Sequence, residues 1–192
     1  MMLNPITWLE TLGTIGAVTK CRVAGRDATL VDGYARIGEL FSATRAGQGT
    51  VWWVGNGGSC AICSHLAQDA LNKLSVRSQV LSDPSLMTCM ANDFGYAEVY
   101  SRPLRRLVRP GDCLVAISSS GNSQNIVNCA DFALEVGLGL ITLSAFGEDN
   151  KLWSHMSDVA LFLPMRLYGL VEVGHEALLH AAIECQFLAE KE

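Results

Sequence analysis

Val51-Trp52-Trp53-Val54-Gly55-Asn56-Gly57-Gly58-Ser59 decides the fold. The first four residues, β-branched or aromatic, have strand character; the glycines break the run, and Ser59 to Leu74 then reads as a helix. A strand that passes through a glycine loop into a helix opens a β-α unit, and the same alternation recurs down the chain. Arg77 to Ser82, Asp112 to Ile117, Gly139 to Ser144 and Asp158 to Leu163 are strand-like, whereas Ser85 to Leu107 (one or two helices), Ser123 to Val136 and Val171 to Glu190 are helical. Parallel strands need crossover helices, and strands buried on both faces read as continuous apolar runs. The expected fold is α/β, an open three-layer sandwich. Ahead of it, Pro5 to Val18 and Ala28 to Thr44 place apolar side chains at helical spacing, with Gly47 and Gly49 ending the second helix.

Composition limits what such a sandwich does. With 192 residues, 49% hydrophobic and 17% charged, the chain buries one full-sized core, and residues 1–192 are expected to form one domain, helical to residue 49 and sandwich-like from residue 50. No linker or low-complexity tract divides it. A formal charge of -5, from 14 basic and 19 acidic residues without like-charge blocks, leaves no footprint for nucleic acid or an anionic membrane. Apolar runs stop short of the roughly 20 residues a bilayer span needs, and Met1 to Lys20 holds Glu10 without a basic start or cleavage site, so a cytosolic location is expected. Seven cysteines, an odd number mostly in apolar stretches, read as reduced core residues.

Open parallel sheets bind ligands beyond the carboxyl ends of their strands, where helix N-termini present unpaired N–H groups and partial positive charge. Two loops fit. Gly55-Asn56-Gly57-Gly58-Ser59 lets a ligand approach the backbone, and Ser59 can cap its helix or bind an anion. Ser118-Ser119-Ser120-Gly121-Asn122-Ser123 sets hydroxyls around one glycine, a neutral cradle for a phosphate monoester; the plainer alternative is a polar turn with Ser123 as N-cap. A dinucleotide site fails because Cys60 stands where G-x-G-x-x-G needs its third glycine, and no G-x-x-x-x-G-K-[ST] sequence is present. Phosphate on a small molecule is the better fit.

His65 and Asp69 lie four residues apart, on one helix face, close enough to share a metal ion or a proton. Glu172, Glu176 and His180 form a polar stripe on the last helix, with solvated surface as its plainer reading and His175 farther round the cylinder. His155 reads as a surface or turn residue. Cys60 and Cys63 form a C-x-x-C at a helix start, read as two core thiols rather than a redox pair.

Together, Val54-Gly55-Asn56-Gly57-Gly58-Ser59, Ala91-Asn92-Asp93-Phe94-Gly95, Arg109-Pro110-Gly111-Asp112, Ile117-Ser118-Ser119-Ser120-Gly121-Asn122-Ser123 and the Glu172 to His180 pattern resemble the sugar isomerase (SIS) domain family, in particular its phosphoheptose isomerases, over nearly the whole chain. The resemblance implies a five-stranded parallel sheet of flavodoxin-like topology, usually in a homotetramer with active sites at subunit contacts. It implies that Ser59, Ser118, Ser119, Ser120 and Ser123 hold a substrate phosphate, that Asn56 and Asp93 contact sugar hydroxyls, and that Gly57, Gly58 and Glu172 border the same site. His65, Asp69, Glu172 and His180 fall on positions that bind a divalent metal, often zinc, in some members; Asp69 and His180 fall on the acid/base positions.

This chain departs from the family at several of these points. Glu is usual where it has Asp69, Gln where it has Glu172, Arg where it has Lys73, and a Thr-Ala-Arg-Ile-Gln run where it has Gly169-Leu170-Val171-Glu172. Two imidazoles and two carboxylates remain a chemically sound donor set for Zn²⁺. The activity implied is aldose-ketose isomerisation of sedoheptulose 7-phosphate through an enediol, Asp69 serving the carbon and His180 the oxygen. Two alternatives stand beside it: isomerisation of another phosphosugar, and a noncatalytic module that senses a sugar phosphate or binds a protein such as a replication-initiation factor.

Overall fold

The structure is a computed structural model that describes residues 4–191. A hairpin of β1 (Lys20–Val23) and β2 (Arg26–Ala28) precedes five further strands: β3 (Thr50–Gly55), β4 (Arg77–Val80), β5 (Cys113–Ser118), β6 (Gly139–Ala145) and β7 (Val159–Leu163). All belong to one sheet ordered β2-β1-β7-β6-β5-β3-β4, in which β3 to β7 run parallel and β1 is antiparallel to both β2 and β7. Seven strands thus replace the five expected, because the parallel core is extended by a hairpin the sequence reading did not resolve. Its strands are four and three residues long, too short to display a period, and the turn between them uses Ala24 at φ +49° and Gly25 at φ +73°. Positive φ at both central residues is the turn geometry that follows the right-handed twist of a hairpin.

The helices are α1 (Pro5–Leu12), α2 (Ile15–Val18), α3 (Leu30–Ala46), α4 (Gly58–Leu74), α5 (Pro84–Phe94), α6 (Ser101–Leu107), α7 (Gln124–Val136), α8 (Lys151–Ser154) and α9 (Tyr168–Ala189), with a 3-10 turn at Tyr96–Glu98. The stretch from Pro5 to Val18 is therefore two helices. Gly13 ends the first, and Asn4 opens it by accepting from the amides of Ile6 and Thr7.

Alternate residues of the central strands enter two cores. Val51, Trp53, Val115, Ile117, Ile141 and Leu143 pack under Phe41 of α3, Leu66 of α4 and Leu179 of α9. Trp52, Val54, Leu114, Ala116 and Leu140 pack on the opposite face, under Leu104 of α6 and Ile126 of α7. This two-sided burial explains why β3 and β5 carry apolar runs without polar alternation.

The chain leaves β3 into α4 on one face and leaves its neighbour β5 into α7 on the other. Adjacent strands whose connections part in this way open a crevice at their carboxyl ends. Both glycine- or serine-rich loops border that crevice.

Candidate active site

Within the crevice, Asn56, Ser59, Ser118, Ser119, Ser120, Ser123, Tyr168 and Glu172 line a cavity of about 140 Å³. Ser59, Ser118 and Ser119 are buried, and Ser118 Oγ lies 3.1 Å from Ser123 Oγ and 3.4 Å from Ser120 Oγ. Ser123 occupies the N-cap position of α7, yet its side chain caps no amide. The loop is a polar turn with Ser123 at the N-cap position, but the Ser123 hydroxyl is turned to Ser118 rather than to an amide, and the first turn of α7 is left without a capping side chain. Gly57 begins α4 at φ +56°, also without a side-chain cap. Two helix N-termini with open first turns thus border a space lined by hydroxyls and by the Glu172 carboxylate, and the open first turns favour an anion.

Gly121 (φ +64°) bends the serine loop, and its amide donates to Ser118 O at 2.9 Å. Behind it, buried Asn150 donates to Gly147 O at 2.7 Å and accepts from Trp153 N at 2.9 Å. The loop therefore rests on a fixed polar support.

Asn56 and Asn125 exchange amide hydrogen bonds at 2.9 and 2.8 Å, and Tyr96 Oη donates to Asn56 Oδ1 at 3.1 Å. The carbonyl oxygen of Asn56 is consequently saturated, and its free capacity is one N–H. Neither Asn125 nor Tyr96 emerged from the sequence. Asn125 left only a primary amide in the first turn of α7, beside that of Gln124, while Tyr96 and Tyr168 left none.

On one face of the sheet, α9 runs alongside α4. Glu172 abuts Gly58 so closely that a Cβ on the glycine would overlap its carboxylate. A carboxylate at the first turn of α4 suits the positive end of that helix. Two turns on, His65 Nε2 and His180 Nε2 are 3.2 Å apart, and His180 Nδ1 lies 3.5 Å from Asp69 Oδ2. Ligand atoms of His65, Asp69 and His180 all fall within 4.8 Å of one another. Lys73 Nζ donates to the same Asp69 oxygen at 2.9 Å and to Glu184 at 2.8 Å, and this ammonium holds the buried carboxyl of Asp69 below the usual carboxylate range.

Three of the four anticipated ligand positions therefore converge. Glu172 stands apart from the cluster, at Gly58, in the serine cavity. Two imidazole nitrogens and a carboxylate oxygen form a donor face that fits a divalent ion of the zinc type.

The remaining candidates lie elsewhere. Asp93 ends α5 in solvent, accepting from Asn92 at 2.8 Å, and does not line the cavity. Glu176 is half-buried, one turn from Glu172 and one from His180. His175 is wholly buried, its Nε2 3.2 Å from Ser144 O; burial pushes its pKa down to about 4. His155 closes α8, with Nδ1 on Lys151 O and Nε2 on Asp131. Cys63 is a core thiol whose pKa burial raises, while Cys60 is half-buried. Cys89 and Cys185 are exposed, so the expectation that the cysteines are core residues fails for these two, which occupy outer helix faces.

Fold and cavity define an α/β protein of flavodoxin-like strand order with a hydroxyl-lined pocket at its switch point. The model of the SIS domain matches residues 24–145. The phosphoheptose isomerase of Tolumonas auensis is 33% identical over 172 residues, covering 86% of this chain and 87% of that protein. That of Helicobacter pylori is 33% identical over 152 residues, covering 76% and 78%. The solved structure of the phosphoheptose isomerase from Neisseria gonorrhoeae superposes with a TM-score of 0.76 at 29% identity, over 94% of this chain and 92% of that one. The chain belongs to the SIS domain family, in its phosphoheptose isomerase branch.

Proposed function

We propose that this protein is an aldose-ketose isomerase that converts sedoheptulose 7-phosphate into the corresponding heptose 7-phosphate. One observation carries the reading: the hydroxyl-lined cradle and the His65–Asp69–His180 cluster stand at two points along α4. Seven residues separate Gly58 from His65, about 10 Å along a helix axis, comparable with the length of an extended seven-carbon sugar phosphate. Phosphate bound among Ser59, Ser118, Ser119, Ser120 and Ser123 then delivers the opposite end of the sugar to the cluster. Asn56, with one N–H free, and Glu172, at the cavity wall, meet hydroxyls between the two.

The chemistry follows from the two side-chain types, a carboxylate and an imidazole. Asp69 is an ionised carboxylate and takes a proton from the hydroxymethyl carbon next to the ketone, while His180 delivers a proton to the ketone oxygen. An enediol forms. His180 then removes the proton from the terminal hydroxyl, and Asp69 returns its own to the former ketone carbon, giving the aldehyde. Each group ends as it began. Anchoring the remote phosphate holds the reacting carbons against the acid/base pair, so the serine cradle contributes to rate as well as affinity. A zinc-type ion held by His65, Asp69 and His180 would supply polarisation of the substrate oxygens.

The assembly we propose is a homotetramer; exposed Ile6 and Leu9 of α1 and Leu71 of α4 provide apolar surface that a second copy would cover. The compartment proposed is the cytoplasm, which suits seven free thiols. Among the described residues no helix is long and apolar enough to cross a membrane.

Asp69→Ala and His180→Ala test the reading. Both variants should lose turnover of sedoheptulose 7-phosphate by at least about a hundredfold, keep their melting temperature within a few degrees, and still bind the sugar phosphate. In deuterated water the wild type should incorporate solvent deuterium into the product. Full turnover in either variant removes that residue from the mechanism, and binding without exchange by the wild type makes the protein a sensor.

A further inference from the structure

A second cavity, of about 380 Å³, opens at the opposite end of the sheet, and both Arg77 and Arg109 line it together with Thr50, Trp52, Gln79 and Asp112. Its walls are fixed by the fold. Asp112, buried at the start of β5, accepts from Thr50 N at 2.8 Å with one oxygen; with the other it accepts from Trp52 Nε1 and Arg109 N, each at 2.9 Å. Thr50 in turn pairs with Arg77 across β3 and β4. Arg109 is thereby held to Asp112 directly, and Arg77 is its neighbour through the strand partner Thr50.

Neither guanidinium group is matched to an acid among the described residues. Arg77 makes one long contact, 3.5 Å to Gln48 O. Asp112 does not fill that role: it is 4% exposed, and its oxygens are occupied by three neutral N–H donors. Two cations against one buried anion leave the cavity positive in a chain whose formal charge is -5. Arg22, Arg36, Arg45 and Arg105 are matched to acids, whereas Arg26, Arg102, Arg106 and Arg166, like this pair, have no acid partner among the described residues; what sets Arg77 and Arg109 apart is that they line one cavity.

We propose that this cavity is a second anion site, distinct from the serine cradle, that takes a phosphorylated small molecule between Arg77 and Arg109. Guanidinium groups present forked N–H donors that match phosphate oxygens, and two of them lining one cavity give it two such forks. The amide of Gln79 adds a neutral polar contact, and the Trp52 indole, held by Asp112, forms an apolar floor. Because β3 carries Trp52 at this cavity and Gly55 at the other end, the site lies on the same strand that opens into the serine cradle.

Calorimetric titration of the full chain with inorganic pyrophosphate is the test. The wild type should bind at two sites. The double variant Arg77→Ala/Arg109→Ala should lose one, weakened at least tenfold, and keep the other; Ser120→Leu should show the converse. Both arginines are exposed, so the double variant should keep the wild-type melting temperature, which a thermal melt checks. Arg77→Lys/Arg109→Lys separates a fitted site from plain charge, since lysine lacks the fork. A wild type with a single site that Ser120→Leu removes, or a second site that survives in the double alanine variant, overturns the proposal. So does a second site retained at full affinity in the lysine pair and displaced equally by chloride.

Discussion

At the scale of single residues, the serine loop depends on Gly121. Its φ of +64° is a conformation that costs an L-residue about 1–2 kcal/mol, and a Cβ there would overlap the carboxamide of Asn150. That amide cannot yield freely, because it is buried and bonded to Gly147 O and Trp153 N. Gly121→Ala should therefore lose about 2–4 kcal/mol of unfolding free energy, strain and overlap together, and should weaken sugar-phosphate binding as the loop shifts. Urea unfolding gives the first quantity from the midpoint at constant slope. A midpoint equal to that of the wild type would mean that the loop and Asn150 move apart at little cost. Gly58 makes a different case: what a Cβ would meet is the end of a flexible Glu172 side chain, so close approach there reflects the site rather than the backbone.

At the scale of elements, the pairing of α4 with α9 sets the acid/base cluster, and Lys73 is the group that tunes it. Its ammonium bridges Asp69 and Glu184 across the two helices, and this contact is the largest cause of Asp69's lowered pKa. A carboxyl held down by a cation rises when the cation is removed. Lys73→Met should therefore move the acidic limb of the pH–rate profile toward higher pH, with activity at neutral pH less affected than activity near pH 5. An acidic limb that stays in place would show that Asp69 does not limit turnover there.

The same helix pair shows what the sequence could disclose. The spacing of His65 and Asp69 placed them on one face of α4, and the four-residue intervals of Glu172, Glu176 and His180 placed those on one face of α9. Which pairs meet depends on how far one helix is slid along the other, and single-chain periodicity carries no information on that. His180 consequently meets the cluster while Glu172 meets Gly58. The parallel strands were legible because two-sided burial writes continuous apolar runs. The β1–β2 hairpin was not, since its edge residues Lys20, Arg22, Arg26 and Asp27 mix charge into strands too short to show alternation. Asp93 was placed by motif alone, and no periodicity could show that the end of α5 leaves it in solvent.

At the scale of the whole molecule, the joint between the helix layer and the sheet contains a titratable group. His175 of α9 is 0% exposed, donates to Ser144 O at the end of β6, and has an Nδ1 without a partner among the described residues. Burial lowers its pKa from 6.5 to about 4. Above pH 6.5 the imidazole is neutral in folded and unfolded chains alike, and its contribution is fully present. As pH falls from 6.5 toward 4, the unfolded chain takes up a proton that the folded chain refuses, so stability is lost through that window. Between pH 7.5 and pH 5 the loss should be about 2 kcal/mol, from 1.36 kcal/mol per pKa unit. Asp69, Glu184 and Glu190, whose pKa values are lowered by Lys73 or Arg45, lose their contributions chiefly below this window, as carboxylates of the unfolded chain begin to protonate near pH 4. His175→Gln keeps an N–H for Ser144 O but cannot ionise, so its unfolding free energy should be flatter over the same interval by about the same amount. Urea titrations at pH 7.5 and pH 5 measure both slopes. Equal slopes for wild type and variant would mean that water reaches the imidazole before the sheet and α9 separate.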